Sequence, residues 1–287
     1  MANHSEFYKL GLYEKAFPGG LCFDQMLSEA KELGFDWLEI SIDESSERLQ
    51  RLEWVDCEKQ QLVYAIKQSG MPIRTMCLSG HRKYPLGSHD AATRERSLEI
   101  MKRAVDFAGQ VGISVIQLAG YDVYYEDHDE LTQGYFEENL TKAVTMAATS
   151  GVILAFETME TPFMDTVDKA MNYVRQMNSP WLGIYPDIGN LQNAAVLYHT
   201  NVVEDLATGA EHIFAMHLKE TRPGVYRNMA FGTGHTDYAA CLEFAAAHNI
   251  RMFTAEFWHK EGEDYLDVIS RSAEFVRGKL DLAFMSK

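Results

Sequence analysis

Short apolar runs alternate with amphipathic stretches along this 287-residue chain, and the alternation repeats eight times. The runs at 9–13, 37–41, 74–78, 115–118, 153–157, 182–185, 214–218 and 252–256 read as strands. Near-continuous apolar character suits parallel strands that are buried on both faces. The stretches at 23–33, 57–68, 93–111, 135–149, 167–177, 203–207, 238–247 and 265–280 carry helical spacing. Gly34, Gly70, Gly112 and Gly151 stand where a helix end wants a left-handed residue. No Ser/Pro/Gly-rich linker or low-complexity tract interrupts the pattern, so residues 1–287 are expected to form a single domain. Eight βα units in a chain of this length predict a (β/α)₈ TIM barrel. A doubly wound open sheet would show the same alternation.

Four residues favour the closed ring. Glu157 ends the fifth strand, Asp187 follows the sixth, and His217 and Glu256 lie on the seventh and eighth. They are separated by 30, 30 and 39 residues, about one βα unit each. A barrel gathers successive strand ends around one axis at its C-terminal mouth, whereas an open sheet spreads them along a line. A single Glu at a strand end is usually an ion-pair partner, and a single His is usually packed. Four metal-competent side chains at equivalent places in four successive units point to one bound divalent ion. The set is borderline and oxygen-rich, suited to Mn²⁺, Mg²⁺, Co²⁺ or Zn²⁺.

Three carboxylates and a neutral imidazole carry a formal charge of −3, which a closing pocket does not tolerate without a cation. A divalent ion acting as a Lewis acid on a sugar ketone and its neighbouring hydroxyl acidifies the C–H between them. Glu157 and Glu256 sit on non-adjacent strands and so flank a ligand from opposite sides. One can remove a proton from one face while the other returns a proton to the opposite face, through a metal-stabilised enediolate. That sequence inverts a carbon centre.

Composition narrows the alternatives. With 42 acidic against 26 basic residues and a formal net charge of −16, the chain repels a phosphate backbone, so nucleic acid is not expected as a partner. The first ten residues lack an apolar h-region and no apolar run approaches a membrane span, so a cytoplasmic protein with no membrane partner is expected. Cys22, Cys57, Cys77 and Cys241 are scattered without a CxxC pair and are expected to be reduced and mostly buried. With 46% hydrophobic residues and two long aromatic-containing loops at the mouth, a homo-oligomer, most simply a dimer, is expected.

Longer segments carry a resemblance that covers nearly the whole chain. They are LGLYEKAFP at the first strand, FDWLEISIDESSERLQRLEW around the second and MCLSGHRKYPLGS at the third. VIQLAGYDVYY follows at the fourth, YPDIGNL at the sixth, HLKETRPGVYRN at the seventh and AEFW at the eighth. The chain resembles the L-xylulose-5-phosphate 3-epimerases, also called L-ribulose-5-phosphate 3-epimerases, of bacterial ascorbate and gulonate catabolism, within the xylose-isomerase-like barrels. The resemblance implies an isomerase that interconverts L-xylulose 5-phosphate and L-ribulose 5-phosphate at C3. It implies Glu157, Asp187, His217 and Glu256 as metal ligands, with the two glutamates as the acid/base pair.

An ester phosphate requires cations or aligned N–H groups. His81, with Arg82 and Lys83, follows the third strand, and Lys219, Arg222 and Arg227 follow the seventh. His81, Lys219 and Arg222 are the expected substrate or phosphate contacts, although most Lys and Arg are simply solvated. Tyr13, Trp258, Tyr121, Tyr124 and Tyr125 could wall the pocket or only pack. An apurinic-site endonuclease is disfavoured: Asn190 stands where a second metal-binding His is wanted, and Leu118, Ala119 and Gly120 supply no ligand. An aldose–ketose isomerase of a hexulose or pentulose phosphate, or an epimerase of unphosphorylated ketoses, shares the chemistry. An inactive sugar-binding barrel would require a broken glutamate pair, and both glutamates are present.

Overall fold

A computed structural model describes residues 6–285. Residues 1–5, half of the stretch read for a secretory signal, lie outside the described residues. The strands are β1 (Lys9–Tyr13), β2 (Trp37–Ser41), β3 (Ile73–Leu78), β4 (Val115–Ala119), β5 (Ile153–Glu157), β6 (Leu182–Ile184), β7 (Met216–Leu218) and β8 (Met252–Ala255). The helices are α1 (Phe23–Glu32), α2 (Ser46–Gln50), α3 (Asp56–Ser69), α4 (Ala91–Val111), α5 (Glu130–Ser150), α6 (Val167–Met177), α7 (Ile188–Tyr198), α8 (Val202–Ala207), α9 (Tyr238–Ala247) and α10 (Tyr265–Met285).

All strands pair in parallel, in the order β6-β5-β4-β3-β2-β1-β8-β7. The ends of that order meet. Phe214 N donates to Ile184 O at 3.0 Å and His217 N to Pro186 O at 2.9 Å, so β6 and β7 close the ring. The result is a (β/α)₈ barrel, as the alternation predicts.

Period-two alternation sorts each strand's residues between two environments. Leu38 and Ile40, Met76 and Leu78, Leu154 and Phe156 face outward into the main core against the helices. The intervening residues line the barrel axis. Val115, Ala155, Tyr185 and Ala215 form a small separate cluster low in the interior. Trp37 also fills this region, and Gly11 beside it is obligatory because any Cβ there would collide with the indole. Above these come Glu39, Thr75 and Thr254, and above them Glu157, His217 and Glu256, all buried. The interior therefore grades from apolar at the bottom to ionisable at the mouth.

Two helices were not foreseen. α2 follows β2 and is capped by the Ser45 hydroxyl, which accepts from Arg48 N at 3.3 Å. α7 begins immediately after Asp187, although Gly189, Asn190 and Asn193 are weak helix formers. Burial of Ile188, Leu191, Ala194 and Ala195 overrides that weak local preference. Gly70, Gly112 and Gly151 take the left-handed positions at helix ends as expected. All four cysteines are free, but only Cys77 and Cys241 are buried; Cys22 and Cys57 are exposed, which corrects the expectation of mostly buried thiols. Among the described residues no helix is long and apolar enough to cross a membrane.

Candidate metal centre and active-site cavity

The four residues from β5, β6, β7 and β8 converge. Glu157, Asp187, His217 and Glu256 are all buried, and each offers a ligand atom within 4.8 Å of the others. His217 Nδ1 lies 3.5 Å from Glu157 Oε1 and 3.4 Å from Glu256 Oε2. Asp187 is also the N-cap of α7: its Oδ1 accepts from Asn190 N at 2.8 Å, which directs Oδ2 into the cluster. Its own N–H donates to Thr158 Oγ1 at 3.0 Å.

A second tier fixes the imidazole. His217 Nε2 lies 2.7 Å from Glu39 Oε1, and both side chains are completely buried. Glu39 Oε2 accepts from the Thr75 hydroxyl at 2.7 Å and from the Tyr185 hydroxyl at 3.0 Å. With Nε2–H bonded to Glu39, Nδ1 is left as the acceptor nitrogen; it lies 3.2 Å from Gln117 Nε2 and faces the acids, where it could bind a cation, an arrangement common to metal-ligating histidines.

Lys219 enters the same cluster. Its Nζ lies 2.6 Å from Asp187 Oδ2 and 3.2 Å from Glu256 Oε2. Three carboxylates and one ammonium give a formal charge of −2, in place of the −3 counted from the four residues alone. Asp187 Oδ2 and Glu256 Oε2 are buried and accept no well-directed hydrogen bond; the ammonium is only an ion-pair neighbour. Burial pushes the Asp187 carboxyl up to about 7 against the pull of Lys219. Burial and the charge of Glu256 raise Glu157, whereas Lys219 and His217 overcome burial and hold Glu256 well below the usual carboxylate range. Crowded, under-bonded carboxylate oxygens beside an imidazole nitrogen fit a divalent cation.

The cluster opens into a cavity that also includes Tyr13, Trp258, Met159, Asn190 and Glu160. Tyr13 and Trp258 meet edge to face, 6.0 Å between ring centroids. Three further cations reach it, Lys15, Arg82 and Arg227. Lys15 pairs with Asp43 at 2.5 Å and Arg227 with Glu160 at 2.7 Å. Arg82 lies over the Tyr124 ring, 4.7 Å from its centroid, and its buried Nε has no partner.

A family profile described as xylose isomerase-like TIM barrel matches residues 27–279. The chain belongs to this family. Among its relatives is the L-ribulose-5-phosphate 3-epimerase UlaE of Escherichia coli O157:H7, 42% identical over 277 residues that span 96% of both chains. The protein of the same name from Salmonella heidelberg (strain SL476) is 42% identical over 94% of both. The resemblance read from the strand-end segments is therefore borne out. Solved structures superpose on the chain at lower identity. An L-ribulose 3-epimerase does so with a TM-score of 0.77 at 16% identity, over 96% of this chain and 95% of its own. The IolI protein with a bound zinc atom does so with 0.77 at 17% identity, over 96% and 99%.

Within this xylose isomerase-like barrel the expected phosphate contacts are dispersed. Lys219 lies in the cavity, but against Asp187 and Glu256. His81 is buried with Nε2 3.2 Å from Ser97 O, and burial drives its pKa down to about 4. The 3-10 turn Ser79–Arg82 sends His81 toward α4 and presents Arg82 to the cavity instead. Arg222 is exposed and donates through Nε to Thr233 O at 3.0 Å, bracing its own loop. Neither His81 nor Arg222 is among the residues that line this cavity. Sequence reading also missed Glu39. Its signal was an acid in the middle of an otherwise apolar strand, WLEIS, in a position that a barrel buries.

Proposed function

We propose that this chain is a metal-dependent 3-epimerase that interconverts L-xylulose 5-phosphate and L-ribulose 5-phosphate. The reading is carried by one observation: two buried glutamates from non-adjacent strands flank His217 Nδ1 at 3.5 and 3.4 Å on the floor of a single cavity. The 42% identity to the UlaE epimerases supports the phosphorylated pentulose as substrate.

Glu157, Asp187, His217 and Glu256 would hold one divalent ion, Mn²⁺, Zn²⁺, Co²⁺ or Mg²⁺, which supplies Lewis acidity toward the ketone and adjacent hydroxyl oxygens of the sugar. Glu39 keeps the imidazole in the tautomer that leaves Nδ1 available. Each glutamate has two carboxylate oxygens, so it could help hold the ion and still carry a proton. For a given C3 configuration one carboxylate takes the C3 proton, and the other, protonated, delivers a proton to the opposite face. Tyr13 and Trp258 shield this end of the cavity from water. Arg82, Arg227 and Lys15 supply the positive charge for the ester phosphate, in place of His81 and Arg222.

The test follows the C3 proton of L-xylulose 5-phosphate by NMR in D₂O, with metal-loaded protein and again after chelation. Deuterium entry at C3 with formation of L-ribulose 5-phosphate, abolished by chelation, is expected. Label movement between C1 and C2 without C3 exchange would instead mean an aldose–ketose isomerase.

A further inference from the structure

Each of the other three cations at the cavity has a fixed neighbour outside the metal set. Lys15 has Asp43, Arg227 has Glu160, and Arg82 has the Tyr124 ring. Lys219 differs. Its ammonium is buried, and its two acid neighbours are Asp187 and Glu256, at 2.6 and 3.2 Å. The oxygens it faces, Asp187 Oδ2 and Glu256 Oε2, accept no well-directed hydrogen bond. They are also the atoms a divalent ion would claim. With those acids turned to an ion, the buried ammonium would need another electron-rich partner, because an unpaired buried charge is costly. The open side of the cavity, where the Trp258 ring centroid lies 6.0 Å from Nζ, is where the sugar enters.

We propose that Lys219 is a catalytic residue at the reacting end of the sugar, a fixed hydrogen-bond donor to the O2 oxygen on which charge develops, and not a phosphate anchor. The proposal rests on the epimerase reading. The C3–H bond breaks and its proton goes to one glutamate carboxylate. The C–H electron pair forms the C2–C3 double bond, and the carbonyl π pair moves onto O2. The Lys219 ammonium donates a hydrogen bond to that oxygen and keeps its proton. The second glutamic acid then forms the new C3–H bond from the opposite face as the pair on O2 returns to the carbonyl.

Lys219→Met removes charge and donor at similar length. Metal-free K219M is expected to bind Mn²⁺ at least tenfold more tightly by calorimetry, since no ammonium competes for Asp187 and Glu256. That measurement also establishes that the variant is folded. With Mn²⁺ saturating, kcat for C3 exchange is expected to fall roughly 100- to 1000-fold, the size of losing one oxyanion donor. KM and the competitive inhibition constant of inorganic phosphate should stay within about threefold. Lys219→Arg, which restores charge and donor, should have a kcat at least tenfold above that of K219M. A preserved kcat in K219M with a raised KM and a raised phosphate inhibition constant would make Lys219 a phosphate anchor and overturn the proposal. Weaker Mn²⁺ binding in K219M would also overturn it, since Lys219 would then only brace the acids. Wild-type protein that exchanges no C3 proton removes the epimerase reading and this proposal together; wild-type exchange with an undiminished kcat in K219M removes the proposal alone.

Discussion

Glu39→Gln isolates what the second tier contributes. Glu39 is fully buried and accepts three hydrogen bonds, from His217 Nε2, the Thr75 hydroxyl and the Tyr185 hydroxyl, at 2.7, 2.7 and 3.0 Å. The amide keeps the shape and one acceptor oxygen, and the two hydroxyls can rotate to accept from its NH₂, so the fold should survive. The loss is the negative charge behind the imidazole. A hydrogen bond to a charged group is worth about 1.5–3 kcal/mol and a neutral one about 0.5–1.5, so the difference is ~1–2 kcal/mol. At about 1.4 kcal/mol per factor of ten this weakens metal binding by roughly 5- to 30-fold. That range overlaps the 10- to 100-fold commonly caused by changing an outer-tier partner of a metal-bound histidine. Calorimetric titration of Mn²⁺ into metal-free wild type and E39Q measures it, with thermal unfolding of both as the control. The His217→Ala and E39Q/H217A variants complete a cycle in which Glu39 should have little further effect once His217 is gone. Metal affinity unchanged in E39Q, or an equal loss in the absence of His217, would refute the claim that Glu39 acts through His217.

Glu157→Gln and Glu256→Gln should each abolish epimerisation while preserving the fold, as followed by NMR in D₂O. One variant should still exchange the C3 proton of L-xylulose 5-phosphate and the other that of L-ribulose 5-phosphate, because an amide cannot shuttle the proton. Arg82→Met and Arg227→Met should raise KM for the pentulose phosphate about 10- to 100-fold, the loss of one charge-assisted contact, whereas Arg222→Met should change it less than about twofold. His81, with a folded pKa of about 4 below its ordinary value of 6.5, stays neutral while the unfolded chain takes up a proton. Stability should therefore fall as pH drops from about 6.5 to 4, by about 3 kcal/mol from this group, and urea titrations of His81→Gln should lack that part of the slope. Sedimentation at micromolar concentration should give a homodimer, and a monomer alone would refute that expectation.

The barrel and its four metal-competent residues were legible in the sequence for the same reason. Parallel strands buried on both faces demand apolar runs, and helices covering them demand amphipathic ones, so the eightfold alternation encodes the topology locally. Glu157, Asp187, His217 and Glu256 recur once per unit because the ring converts sequence period into proximity. What sequence left hidden depends on direction and on long-range pairing. His81 and Arg82 are neighbours in a 3-10 turn, where one residue rotates the side chain by about a third of a turn. That rotation alone places Arg82 at the cavity and His81 under α4. Asp187 serves at once as α7 cap and cluster member because burial, not propensity, makes α7 a helix. Lys219 and Arg222 lie in one loop, yet only Lys219 follows β7 closely enough to be drawn among the acids. Glu39 and His217 are 178 residues apart, on β2 and β7, and no local pattern pairs them. Only closure of the barrel puts both on its axis, where burial makes each a hydrogen-bond partner of the other.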